Sequence, residues 1–285
     1  MCVGGKEKVA PMLRIASNLA SISAQRALGL TQSSVEKSMR ALASGSRFTD
    51  AGADASGQAI ASGVQAQIKG YQAARYNSDN AVSFVQLAEG ALNEQSNILI
   101  RLRELAIQSA SDTMGDKERE FMDYEVKGLV KEFDRIAKST TFGSQHLLDG
   151  TSKSYEFQVG IHSGSENVIT YEHNANTTAS SIGISGMSVL DKSDARDSLS
   201  DLDKAMTEIS GTRAKLGAIQ SRMESATSHI DSQVENLTDA YSRMADTDIP
   251  SEISNLRRGQ ILQQYQASVL SEANNSQGYL LKLIA

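Results

Sequence analysis

The chain has 285 residues, of which 5% are aromatic, none is tryptophan and two are proline, a composition that favours long helices over a β-sandwich. The formal net charge is −6 and no block of lysine and arginine stands out, so we expect no nucleic acid partner. Cys2 is the only cysteine, which excludes an intrachain disulfide and a cysteine-built metal site. No apolar segment has the length of a secretion signal or a membrane span, so we expect neither a cleaved signal peptide nor membrane insertion.

The first half of the chain carries helical patterns. Apolar residues keep a helical spacing until the glycines after Ser44 interrupt it, which predicts a first helix ending near Ser44. A weaker helical pattern of small residues covers 54–72, and three staggered apolar rows cover 80–111. So broad an apolar stripe predicts a helix with more than one partner. Another helix is predicted over 117–138.

The period changes to two in the region 140–192. Tyr155, Phe157 and Val159 alternate with polar residues, and a second apolar run follows at 168–171. This pattern predicts a β-hairpin. The segment 174–186 is rich in serine, threonine and glycine, so we expect a loop exposed to solvent.

A heptad seam marks the last third of the chain. Every seventh residue of this seam is apolar: Leu202, Ile209, Leu216, Met223, Ile230, Leu237 and Met244. The seam predicts one helix from about residue 193 to Ala245; the seam alone would be about 65 Å long, so its partner must be another long helix. Asp246, Thr247 and Asp248 precede Pro250, which predicts the start of a last helix running towards Leu283.

No group of residues indicates catalysis. The four histidines show neither an i, i+4 pair nor an HExxH element, and the glycines form no phosphate-binding fingerprint. The segment 162–166 contains an imidazole, a hydroxyl and a carboxylate, but it lacks the strand–turn–helix context of a nucleophile elbow. We therefore predict that the chain is not an enzyme and that it has no catalytic, cofactor-binding or metal-binding residues.

Short motifs at both ends of the chain are more specific than its periodicity. They are LRIASN at 13–18, AQR at 24–26, GSR at 45–47, ASGQAIA at 55–61 and EGALNE at 89–94, then LGAIQSR at 216–222, ILQQ at 261–264 and an apolar finish at 280–284. In these motifs the chain resembles bacterial flagellin, over about residues 12–160 and 185–285. Only the region 140–192 separates the flanking helices, so the resemblance is to a short form that lacks the variable outer domains.

The resemblance implies a mainly α fold. It would be a long antiparallel helical bundle or coiled coil with paired amino and carboxyl ends and a small β-hairpin element. Residues 12–54 with 246–285 would form an inner terminal-helix domain, and 55–245 an outer helical domain that includes the hairpin region 140–192. Flagellins usually begin near the segment that matches Met12, so residues 1–11 are a candidate start-site extension.

The resemblance also implies a function. The chain would be a structural subunit that self-assembles into the helical flagellar filament for motility, located outside the cell after type III export without a cleaved signal peptide. Its terminal helices would order as they dock onto neighbouring subunits. A hook–filament junction protein is one alternative, and a secreted binding module or adhesin is another of a different class; the EGALNE and LGAIQSR motifs favour flagellin.

Four kinds of partner follow from the resemblance: further copies of the chain, a flagellar export chaperone, hook-associated and cap proteins, and Toll-like receptor 5. The residues expected to carry self-assembly are apolar positions of the terminal helices: Leu19, Ile22, Val35, Leu42, Leu256, Leu262, Val269, Leu280 and Leu283. The residues that match a receptor contact of many flagellins are Arg101, Leu105, Gln108 and Glu125. Leu129 replaces a neighbouring arginine of that contact.

Overall fold

The computed structural model describes residues 18–50, 52, 54–151, 154–172 and 175–284. The described residues form five helices: α1 (Leu19–Ser44), α2 (Ala55–Ser109), α3 (Asp116–Ser139), α4 (Lys192–Ala245) and α5 (Ile249–Ile284). Four short strands complete the fold: β1 (Thr141–Phe142), β2 (Gln145–His146), β3 (Ser154–Gln158) and β4 (Val168–Glu172). The predicted mainly α fold is confirmed. The candidate start-site extension lies outside the described residues.

Local capping explains where α1 begins and ends. The Asn18 side chain accepts a hydrogen bond from the Ser21 backbone N–H at 3.0 Å, which satisfies one of the free donors of the first turn. At the other end Gly45 adopts φ +69° and its N–H donates to the Ala41 carbonyl at 2.9 Å. Only a residue without a Cβ adopts this left-handed conformation easily, so the glycine stops the helix at the predicted residue.

The predicted hairpin pairs β3 with β4 in antiparallel register. Tyr155 lies opposite Tyr171 and Phe157 lies opposite Ile169, so the alternating apolar residues share one face of the ladder. The prediction of a β-hairpin is confirmed. A second, smaller pair joins β1 to β2, with Phe142 opposite Gln145, and the sequence patterns did not predict it.

The chain divides into two compact units. The terminal unit contains the described residues up to Val64 and from Asp239 onwards, and the central unit is Gln65–Thr238. In the central unit, the seam residues Leu202, Ile209, Leu216 and Met223 share one hydrophobic core with buried residues of α2 and α3. The seam from Leu202 to Met223 is therefore buried in a multi-helix bundle, as the broad stripe over 80–111 predicted.

The segment 174–186 forms the predicted loop, but the expectation that it is exposed to solvent holds for only part of it. Six of its twelve described residues are buried, including Thr177, Ala179 and Ile184. The buried Gln95 amide donates to the Phe133 and Thr177 carbonyls, both at 3.2 Å, and thereby ties the segment to α2 and α3. Alanine and isoleucine side chains fill the core between the serines and threonines, and the Thr177 backbone N–H donates to the Leu148 carbonyl at 2.8 Å.

Asp123 of α3 binds the two residues Ser188 and Val189, which follow shortly after this segment. Its buried carboxylate accepts hydrogen bonds from the Ser188 hydroxyl at 2.9 Å and the Val189 backbone N–H at 3.1 Å, and it pairs with Lys127 at 2.6 Å. Burial alone would raise the pKa of Asp123, but these donors outweigh it and hold the pKa below its ordinary value. The ionised carboxylate therefore fastens the segment to the core.

None of the helices in the described part of the chain combines the length and the hydropathy that a membrane-spanning helix needs.

Candidate self-assembly surface

The terminal unit is built on an antiparallel pair of helices, α1 and α5. At one end of the pair, the Asn18 side-chain amide donates to the Ala273 carbonyl at 2.8 Å, and the Ser21 hydroxyl donates to the Asn274 side chain at 2.8 Å. In the middle, Val35 lies against Gly259. The two ends of the sequence thus meet along one seam, as the fold prediction required.

Small residues let the two helices approach closely. The side chains of α1 that are buried in the seam are Ser21, Ala24, Val35, Ser38 and Ala41. A Cβ atom placed on Gly259 would lie 2.5 Å from the Val35 Cγ2 atom, closer than real Cβ contacts allow. The seam is therefore shaped for a residue without a side chain at position 259.

A β-bridge closes the other end of the pair. Ser46 and Asp246 lie opposite each other in antiparallel register. The Arg47 N–H donates to the Ala245 carbonyl at 2.8 Å, and the Thr247 N–H donates to the Gly45 carbonyl at 3.0 Å. These two reciprocal hydrogen bonds fix the turn after α1 against the junction of α4 and α5.

The chain between α1 and α2 is held by charged groups. The Gly57 N–H and the Ser56 hydroxyl donate to the Asp54 carboxylate, and together with Arg47 at 3.6 Å they lower the pKa of Asp54. Arg40 pairs with Asp50 at 3.1 Å. Both ion pairs are exposed, so they position the segment more than they stabilise it.

The outer side of the helix pair carries unpartnered apolar side chains. On α5 they follow a ridge of residues four positions apart, which consists of Ile249, Ile253, Ile261, Tyr265 and Val269 and is interrupted by Arg257; Leu262 is exposed beside it. On α1 the exposed apolar residues are Leu19, Ile22, Leu30 and Met39. Leu19 is 77% exposed and Tyr265 is 69% exposed, so neither has a partner among the described residues. We call Ile249, Ile253, Ile261, Tyr265 and Val269 of α5 the apolar ridge.

An open groove of about 700 Å³ lies beside the ridge. Its walls come from α1, from the segment before α2 and from α5, with Leu30, Phe48 and Leu262 among its apolar residues. Arg47, Arg258 and Glu252 also line it. The groove therefore offers apolar and charged groups together, which suits a protein surface more than a small apolar ligand.

The structure places the predicted self-assembly residues in three environments. Leu19, Ile22, Leu262 and Val269 are exposed, and Leu42 and Leu256 are half-buried. Val35 is 6% exposed because it packs against Gly259 within the single chain, so it belongs to the α1–α5 seam. The side chains of Leu280 and Leu283 lie outside the described residues.

The sequence prediction missed most of the ridge. Ile249, Ile253, Ile261 and Tyr265 were not among the predicted residues, although their spacing of four positions is visible in the sequence. An apolar residue on an amphipathic helix faces either the helix's own partner or solvent, and only the position of α1 decides between the two.

The residues that match the receptor contact lie in the central unit. Arg101 donates to the Glu125 carboxylate at 2.7 and 2.9 Å and to Glu104 at 3.0 Å, and these hydrogen bonds raise the pKa of Arg101. Gln108 is exposed on the same helix. Leu105 is only 2% exposed and lies in the core, so it can shape this surface only from beneath.

Within the described ranges, no three histidine, cysteine, aspartate or glutamate side chains come together in an arrangement that could hold a metal ion.

Two family models match the chain. The model of the bacterial flagellin N-terminal helical region matches residues 15–153, and the model of the bacterial flagellin C-terminal helical region matches residues 199–284. The chain belongs to the bacterial flagellin family. The two matched regions supply both helices of the α1–α5 pair, so the surface described above lies in the parts of the chain that define the family.

Full-length relatives support the same assignment. A flagellin from Halalkalibacterium halodurans is 35% identical over 94% of this chain and 98% of that protein. The flagellar filament 30.7 kDa core protein of Treponema maltophilum is 36% identical over 94% of this chain and 98% of that protein, and a flagellin from Bacillus subtilis is 32% identical over 95% of this chain and the whole of that protein. The chain thus matches short flagellins over nearly their full length.

Family membership fixes the general role. The chain is a structural subunit of the bacterial flagellar filament, it polymerises with copies of itself, and it works outside the cell. Neither the junction-protein alternative nor the adhesin alternative is favoured by the relatives or by the fold.

Proposed function

We propose that the chain enters the filament by docking the apolar ridge of α5, together with the exposed apolar residues of α1, onto neighbouring copies. The observation that carries this proposal is the unpartnered ridge, because large apolar side chains exposed in a row mark an interaction surface. The helices order further as they dock, and the buried apolar area offsets the entropy that they lose.

The apolar ridge is large enough to supply the free energy that association requires. Full burial of a leucine, isoleucine or valine side chain contributes about 1.5–3 kcal/mol. Bringing two chains together costs about 4–15 kcal/mol in lost freedom of motion, so several ridge residues must be buried at once. An open helical polymer meets this need, because each copy has neighbours on several sides.

The ridge is the part of the surface that mutation can test most directly. We expect Tyr265→Asp to abolish polymerisation, because a carboxylate within the ridge would lose its water on docking. Gln264→Asp is the matched control, since it adds the same charge to the neighbouring exposed position of the same helix. Sedimentation after seeding measures the polymer. Equal polymerisation of the two variants would refute docking through the ridge.

The chain's role in this proposal is structural, without enzyme activity, cofactor or metal. Export would occur through the flagellar type III apparatus without a cleaved signal peptide. A cytoplasmic chaperone would cover the apolar ridge before export, and hook-associated and cap proteins would contact the terminal subunits of the filament. In the same proposal the filament has two layers. The inner layer contains residues 12–54 and 246–285, and the outer layer contains residues 55–245.

Recognition by Toll-like receptor 5 is a further part of the proposal. The pair of Arg101 and Glu125 and the exposed Gln108 offer charged and amide groups on the outer side of α2 and α3. Leu105 would contribute by holding α2 in place from the core. Signalling by receptor-bearing cells exposed to the monomer measures this interaction.

A further inference from the structure

A cleft in the central unit lies between α2 and the β3–β4 hairpin. Its first part, of about 390 Å³, has an aromatic floor and wall formed by Phe84, Phe142, Tyr155 and Phe157. The ring centroid of Phe84 lies 5.8 Å from that of Phe142, 4.6 Å from that of Tyr155 and 5.8 Å from that of Phe157. Phe84 is buried whereas Phe142 is 37% exposed, so the cleft presents an aromatic surface to a ligand.

Amide side chains form the rim of this aromatic surface. Asn77 and Asn80 come from adjacent turns of α2, while Gln145 and Gln158 come from the strands. The Asn77 amide donates to the Gln158 backbone carbonyl at 3.2 Å, which fixes the width of the cleft at that point. Amides both donate and accept hydrogen bonds, so the rim can bind a ligand that carries hydroxyl groups.

The cleft continues beyond this hydrogen bond. A second depression of about 390 Å³ shares Asn77 and Gln158 with the first and extends towards Gly70, His162 and Ser163. The Gln158 side-chain amide donates to the carbonyls of Gly160 and His162 at 2.7 and 2.8 Å, which holds the far wall in place. Two adjoining depressions suit a ligand made of two repeating units.

The charges of the cleft narrow the class of ligand. Among the described residues no lysine or arginine lines either part, so these residues offer no counter-charge to phosphates, nucleic acids or acidic polymers. Of the described residues that line the first part, Glu156 alone carries a carboxylate. An apolar side chain from another protein would displace water from the amide rim. The amides would then lose their hydrogen bonds to water without gaining new ones, so such binding is unfavourable.

We propose that this cleft binds a neutral carbohydrate of at least two hexopyranose units. One sugar ring lies with its apolar face on Phe142 and Phe157, and its hydroxyls exchange hydrogen bonds with Asn80 and Gln145. The second sugar lies past the hydrogen bond between Asn77 and Gln158. Aromatic rings with a few well-placed polar groups are the usual makeup of a ligand pocket.

The test uses the full chain as a monomer and a set of neutral disaccharides: maltose, cellobiose, lactose and N,N′-diacetylchitobiose. Saturation-transfer NMR detects binding, and we expect at least one of them to bind with a Kd on the order of 1 mM. Phe142→Ala should weaken binding about tenfold through the loss of ring stacking. Gln145→Ala should weaken it severalfold, and because this side chain is exposed the variant keeps its fold.

Tyr124→Ala is the matched control, since it removes an exposed aromatic ring of the central unit outside the cleft and should leave binding unchanged. Absence of transfer to every one of the four neutral disaccharides would overturn the proposal. The proposal also fails if Phe142→Ala and Gln145→Ala bind like the unmodified chain. If the two variants bind disaccharides like the unmodified chain but no longer polymerise, the cleft is instead a contact between copies of the chain.

Discussion

Gly259 of α5 lies so close to Val35 of α1 that a Cβ atom at position 259 would come within 2.5 Å of the valine Cγ2 atom. A glycine in the interior of a helix usually costs stability, about 1 kcal/mol relative to alanine. Its presence here is explained by the close approach of the two terminal helices. The contact is therefore a sensitive probe of the α1–α5 seam.

The seam can be tested with two glycine substitutions. Gly259→Ala should destabilise the terminal unit, because a clash costing about 1–3 kcal/mol outweighs the gain in helix propensity. Gly29→Ala is the control: it lies in α1 with open space around it, so it should stabilise the chain by about 0.5–1 kcal/mol. Hydrogen exchange of the α1 amides measures both effects. Stabilisation by Gly259→Ala equal to that of Gly29→Ala would contradict the close contact.

The sequence predicts those parts of the fold that depend on local pattern. The heptad seam from Leu202 to Met244 predicts one long helix, and the alternation from Tyr155 to Val159 predicts a strand, because both periods follow from backbone geometry. The end of α1 near Ser44 follows from the glycine after it. All three predictions agree with the structure.

The burial of the segment after β4 could not be predicted in this way. Its serines, threonines and glycines have the composition of a surface loop, but Thr177 is bound by Gln95, which lies 82 positions earlier in the chain. Such a contact leaves no periodic trace in the sequence. The same reason explains Val35: it is an apolar residue on an amphipathic helix, and its contact with Gly259 depends on a partner that is distant in sequence.

The carboxylate of Asp123 offers a second test. Asp123→Asn should lower the free energy of unfolding of the central unit by about 1–3 kcal/mol at pH 7, because it weakens buried hydrogen bonds and removes the pairing with Lys127. Urea unfolding followed by circular dichroism measures the loss. Lys127→Met serves as the control for the ion pair alone and should cost less.

The stability contributed by Asp123 should depend on pH. Because folding lowers the pKa of this carboxyl, its contribution is complete above the unfolded pKa of about 3.9 and is lost as the pH falls through the lower folded pKa. The difference in unfolding free energy between the unmodified chain and Asp123→Asn should therefore shrink below about pH 4. A difference that stays constant from pH 7 to pH 3 would contradict an ionised, buried carboxylate.

Two substitutions on α2 separate core packing from surface recognition. Leu105→Ala should destabilise the central unit by about 2–5 kcal/mol, because it leaves a cavity in the core. Arg101→Ala removes only solvent-exposed ion pairs and should leave stability nearly unchanged. We expect Arg101→Ala nevertheless to reduce signalling through Toll-like receptor 5. Unchanged signalling by this stable variant would remove the proposed receptor contact.

The central claim is that the terminal helices drive polymerisation, and negative-stain microscopy tests it most directly. The full chain and a chain truncated after Ala245, which lacks α5, are compared before and after seeding or addition of a precipitating salt. Circular dichroism is the control that checks whether the truncated chain keeps its helical central unit. We predict long filaments from the full chain and none from the truncated one. Filaments from the truncated chain, or a full chain that forms only short rings or stays soluble, would contradict the account.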